Sequence, residues 1–181
     1  MSKKAVKEVK DKEPVVESQL NDNNIEPKVE LTEQDKINFF KSFLADEPFT
    51  DTLTSFGGAL KLKFRSLTSN ENMDIYSELK KLQNAGELTT DANYITQLTC
   101  SRLALTLSAI NDEPFCQDIT AAVYPATKDS EENYITKRTA IVKNWSVHKL
   151  TTIADSFKLF ENKLMALIKE VQTENFWPAD K

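Results

Sequence analysis

The chain has 181 residues, 40% of them hydrophobic and 28% charged, which suits one domain plus a tail. Its net charge of −5 disfavours a general nucleic-acid binder, because such domains are ordinarily basic. Three glycines and six prolines are too few for an all-β sandwich with many tight turns, and no apolar run approaches the ~20 residues a membrane span needs.

Residues 1–31 mix lysines with acids, asparagine and serine and carry almost no large apolar side chain. Such a segment buries too little surface to offset the entropy of ordering, so a disordered charged tail is expected, with a partner-docking arm as the alternative. Residues 32–181 are expected to form one mostly helical domain. A first helix is predicted from Glu33 to about Ala45, capped by Thr32, with Ile37, Phe40, Phe43 and Leu44 as its apolar face and Phe39 widening it. Pro48 lies beyond its end.

The stretch 49–67 reads as a β-hairpin closed on Gly57-Gly58, since glycine accepts the positive φ of a two-residue turn. Leu60, Leu62 and Phe64 alternate with Lys61, Lys63 and Arg65, giving one apolar and one cationic face. In that register Leu53 faces Leu62 and Ser55 faces Leu60. Thr68 and Glu71 have capping-box spacing. The helix they open carries Met73, Tyr76, Leu79 and Leu82 at intervals of three, and Gly86 fits its end.

From Thr90 to about Ile110 two periods compete. Tyr94, Ile95, Leu98 and Leu105 suit a helix, whereas residues 103–110 alternate as a strand would. The helix is preferred because nothing breaks it before Asn111. Arg102 inside this apolar length is expected to be a structural ion-pair partner. Asn111 to Pro114 is a turn, and residues 115–128 are expected to be mainly loop. A helix from Glu131 to about Asn144 presents Tyr134, Ile135, Arg138, Ile141, Val142 and Trp145. Ser146 then caps the longest helix, running to about Gln172 with Phe157 and Phe160 on its apolar stripe. Phe176 and Trp177 follow as an apolar knob, either anchored on the core or free for contact. The whole is thus expected to be mainly α with one β-hairpin, an α+β fold.

Little points to catalysis. His148 is the single histidine, and Cys100 and Cys116 are far apart, so the paired spacing of a zinc site is missing. A Cys–His nucleophile pair involving His148 has no local signature. There is no Gly-x-Ser-x-Gly elbow and no glycine-rich phosphate loop. Among 28 acidic residues none is marked by an apolar setting, and capping explains Glu71. No catalytic residue, metal or cofactor is therefore assigned. The cysteines read as small buried hydrophobes in a reducing cytosol, with no export segment at the N-terminus. Aromatic enrichment at interfaces makes Trp145, Phe157, Phe160, Phe176 and Trp177 contact candidates, with Arg65 on the polar hairpin face.

The run Ala45-Asp46-Glu47-Pro48-Phe49, then Phe56-Gly57-Gly58, then Leu60 to Thr68 with the sequence LKLKFRSLT, and Glu71 opening a helix resembles the tail assembly chaperones of long-tailed bacteriophages. Arg102 to Phe115 and Arg138 to Val171, with Trp145 between two helices, extend the likeness over roughly residues 35–172. The resemblance implies a non-enzymatic protein of the host cytoplasm. Its copies would coat the tape measure protein, keep its apolar helices from aggregating and recruit tail tube protein. It would be absent from the mature virion, able to self-associate, and without nucleic-acid or membrane partners. The alternative is a small structural virion protein of capsid, connector or tail, which would be present in purified particles at fixed stoichiometry.

Overall fold

A computed structural model of the protein describes residues 30–126 and 132–172. The tail expected over residues 1–31 falls almost entirely outside the described residues, and so do Phe176 and Trp177. The element order is α1 (Glu33–Leu44), β1 (Thr50–Ser55), β2 (Leu60–Arg65), α2 (Ser69–Asn84), α3 (Asp91–Thr106), β3 (Leu107–Ile110), β4 (Glu113–Pro114), α4 (Tyr134–Lys143) and α5 (Val147–Val171). The fold is α+β: mostly helical, with a small antiparallel sheet ordered β1-β2-β3-β4.

Each helix starts on a side-chain cap. Thr32 and Thr68 form capping boxes with Asp35 and Glu71, and Ser146 accepts from the Lys149 amide. Asn133 caps α4 by accepting from the amides of Ile135 and Thr136, while its own amide donates to Glu78 Oε2 at 3.0 Å. Helix α2 ends with Gly86 at φ 76°, where the Glu87 amide reaches the Leu82 carbonyl at 3.0 Å. Helix α1 ends the same way, with Asp46 at φ 55° and the Glu47 amide on the Ser42 carbonyl at 2.9 Å.

The hairpin has the anticipated register, Leu53↔Leu62 and Ser55↔Leu60. Its turn is wider than two glycines, for Phe56 joins Gly57 and Gly58 at positive φ and projects outward, 71% exposed. Strands β3 and β4 extend the hairpin to four strands, with Asn111 and Asp112 at positive φ in the turn between them.

The helix expected to reach Ile110 stops at Thr106, and the strand periodicity of its last residues wins there. No local breaker causes this. Arg138, buried on α4, donates from Nε to the Ala104 carbonyl at 2.9 Å and from Nη2 to the Leu107 carbonyl at 3.2 Å. The Ala104 carbonyl is one that a helix end leaves without an internal partner, the Leu107 carbonyl opens β3, and the cation suits the negative end of the helix. Thr106 Oγ1 donates to the Arg102 carbonyl at 2.9 Å. The next residue, Leu107, is already extended (ψ 116°). At the β2–β3 bulge Ser108 Oγ donates to the Lys63 carbonyl at 2.9 Å.

Two faces are rotated from expectation. In α1 Phe39 is the buried residue, whereas Phe43 and Leu44 are 66% and 68% exposed. In α2 Ile75 and Leu79 go inward and Met73 and Tyr76 stay outside. Residues 75, 78, 79 and 82 make the better stripe, and Glu78 sits in it because Asn133 supplies a hydrogen bond.

Apolar side chains gather in two clusters. The larger lies between the sheet, α1, α3 and α5, and the smaller lies between α2, α3 and α4. In the larger, Phe49 stacks on Phe160 at 6.1 Å between centroids, Phe64 on Phe160 at 5.6 Å, and Phe39 meets Phe49 edge-on at 5.6 Å.

Candidate functional site

The contact candidates do not form one patch. Arg65 leaves β2 half-buried and grips Glu71 in a bidentate pair, Nη1–Oε2 at 2.8 Å and Nη2–Oε1 at 2.5 Å. It ties the hairpin to the first turn of α2 and is in the first place a fold residue. Burial opposes the charge on Glu71, but the bonds from Arg65 and the Thr68 amide together outweigh it and hold the carboxyl below its usual range. Trp145 is half-buried between Phe115, at 5.5 Å, and the Lys149 ammonium, 4.4 Å from the ring centroid. Phe157 and Phe160 are interior rings, 4% and 1% exposed. Both pack in the core, one of the two roles open to the apolar stripe of α5, and their ring edges lie beneath a groove.

That groove runs along the second half of α5. At one end a cavity of about 340 Å³ lies between Leu164 and Ile168 of α5 and the last turn of α1, where Phe43, Asp46 and Glu47 form the rim. At the other end a cavity of about 290 Å³ lies between Phe157, Glu161 and Leu164 of α5 and the first turn of α2, with Arg102 of α3 beside it. The two share Ser66, Leu67 and Leu164, so they are halves of one concavity. From Phe157 to Ile168 the helix rises about 16 Å, roughly three turns. Phe43 and Ile168 on the groove rim, with Leu44 and Met165 on the same two helix ends, leave apolar surface in solvent.

The groove is held by ions at its sides. Arg102 Nη2 meets Glu161 Oε1 at 2.7 Å, which bears out the ion-pair role expected for Arg102. Burial pushes the Glu161 carboxyl up more than Arg102 pulls it down. Arg102 Nε is buried and has no hydrogen-bond partner among the described residues. Behind the groove Lys163 joins three elements, reaching Asp35 of α1 and Asp51 of β1 at 2.7 Å each. Burial disfavours the Lys163 ammonium, yet the bonds from both carboxylates raise its pKa. Lys36 adds a second link from α1 to α5 through Glu170 at 2.9 Å. Lys163 was not marked in the sequence, and Arg138 was placed on its helix face without a partner, since nothing near either residue signals one so far along the chain.

His148 is exposed at the start of α5, and Cys100 and Cys116 are free thiols whose pKa burial pushes up. A raised thiol pKa works against thiolate chemistry at neutral pH. Among the described residues no group of three or more His, Cys, Asp or Glu is placed to hold a metal ion, and no helix is long and apolar enough to cross a membrane. Compared with family models, curated proteins and solved structures, the chain matches none.

Proposed function

We propose that this chain is a non-enzymatic assembly chaperone of long phage tails, which binds apolar helices of the tape measure protein and helps recruit tail tube subunits. The reading rests on the resemblance over residues 35–172. The observation that carries it furthest is the groove along α5, with Leu67 and Leu164 at its middle and exposed Phe43 and Ile168 on its rim. An amphipathic client helix has its apolar stripe matched by such a concavity. On this reading the protein acts by contact in the host cytoplasm and does not remain in the finished particle.

Co-expression with the tape measure protein encoded in the same gene neighbourhood tests it. The expected result is a soluble complex recovered by pull-down. Tape measure protein that aggregates regardless, together with this chain found at fixed stoichiometry in purified virions, replaces the reading with that of a structural component.

A further inference from the structure

We propose that the α5 groove seats one amphipathic helix of another protein in a fixed direction, with its N-terminus at the α1 end and its C-terminus at the α2 end. The proposal rests on the chaperone reading for which protein carries the helix, and on the groove alone for the direction.

Direction follows from charge. At one end the groove meets the C-terminus of α1, the negative end of that helix, and adds the exposed carboxylates of Asp46 and Glu47. At the other it meets the N-terminus of the 16-residue α2 and the Arg102 guanidinium, where the carboxylates of Glu71, in the first turn of α2, and Glu161 balance the cations of Arg65 and Arg102 and leave only the weakly positive helix end. The single Nη2 bond to Glu161 leaves the Arg102 guanidinium with further Nη donors. A helix lying in the groove with its own N-terminus beside Asp46 and Glu47 meets opposite charge there and the weakly positive α2 end at its other terminus, and a reversed helix meets like charge at the carboxylates. Between the ends Leu67 and Leu164 form an apolar middle flanked by Ser66, Thr68 and Asn72, with Phe43 and Ile168 as the exposed apolar rim over roughly three turns. The occupant is therefore a helix with an apolar stripe at i, i+3, i+4 and i+7, a basic first turn and an acidic last turn.

Two stapled leucine/alanine peptides of about 12 residues, of equal helicity, probe this with the full chain. One carries lysines in its first turn and glutamates in its last, and the other is reversed. By fluorescence anisotropy at low salt the lysine-first peptide is expected to bind about five- to tenfold more tightly, with the preference shrinking as salt is added. Ile168→Glu and Phe43→Glu, both at exposed positions, are expected to abolish binding. Asp46→Asn/Glu47→Lys is expected to remove the preference while leaving the αL turn at position 46 in place. The proposal is overturned by equal binding of the two peptides, by no saturable binding of either, or by a preference that survives the double substitution. It is likewise overturned if binding emerges only in Phe176→Ala/Trp177→Ala, which assigns the groove to this chain's own C-terminal segment. Ile168→Glu dissociating a dimer assigns it to a second copy. If wild type and Ile168→Glu retain the tape measure protein equally, the groove falls and the chaperone reading stands. If the peptides discriminate and the tape measure protein is not retained, the reverse holds.

Discussion

Replacing Arg138 by methionine removes a guanidinium while keeping an unbranched side chain. Two buried carbonyls, those of Ala104 and Leu107, lose donors at 2.9 and 3.2 Å, and the 3.4 Å contact to the Phe115 carbonyl counts for little. Each orphaned carbonyl costs about 1–3 kcal/mol. Against that, burial already disfavours the charged Arg138, so methionine recovers part of a desolvation cost. The net destabilisation is about 2–4 kcal/mol, which at a urea slope of about 2 kcal/mol/M lowers the unfolding midpoint by about 1–2 M. Arg138→Lys keeps the charge but not the fork, and its midpoint is expected to lie between the two. Hydrogen exchange should place the damage at the α3–β3 junction, with Ser108 to Ile110 losing protection first. A midpoint within about 0.25 M of wild type, or β3 amides exchanging at the wild-type rate, refutes the claim that Arg138 ends the helix at Thr106.

Glu71→Gln is expected to cost about 1–2 kcal/mol near pH 7, given a half-buried bidentate partner. Folding lowers the Glu71 pKa, so its contribution is complete above the unfolded carboxyl value and disappears as pH falls through the folded one. Urea titrations at several pH values should therefore show wild type and variant converging below about pH 4.5. Lys163→Met leaves Asp35 and Asp51 without their shared cation and is expected to cost about 2 kcal/mol. Exchange should speed up selectively in α1, and uniform acceleration would argue against a clasp. Phe160→Ala should lose about 3–5 kcal/mol, because its ring stacks on both Phe49 and Phe64. Thermal unfolding close to wild type would contradict its place in the core.

Local chemistry was legible and distant chemistry was not. Thr32, Thr68 and Ser146 announced their helices because a cap acts within three residues, and Leu60 to Arg65 announced a strand because its period is two. The stripe of α2 was misplaced because Met73 and Tyr76 reach Leu79 in steps of three, while Ile75 reaches it in a step of four, and both spacings suit a helix face. Which set goes inward was settled by Asn133, 55 residues from Glu78. The end of α3 depends on Arg138, 34 residues from Ala104. Of the groove, Phe157 and Phe160 were picked out on the apolar stripe of α5, with core and partner contact both open. Their place in the core needed Phe49 and Phe64 brought across from the other half of the chain.

The aromatic stack and the Lys163 clasp have a consequence for synthesis. Phe39, Phe49 and Phe64 are made early, and the rings and cation that cover them arrive with Phe157, Phe160 and Lys163. At ribosomal speeds of about 5–20 residues per second, the interval between Phe64 and Phe160 is on the order of 5–20 s. Throughout it the hairpin presents an uncovered apolar face with no α5 to receive it. The nascent chain therefore passes through a stage in which its own sheet is open to aggregation, and only the synthesis of α5 ends it.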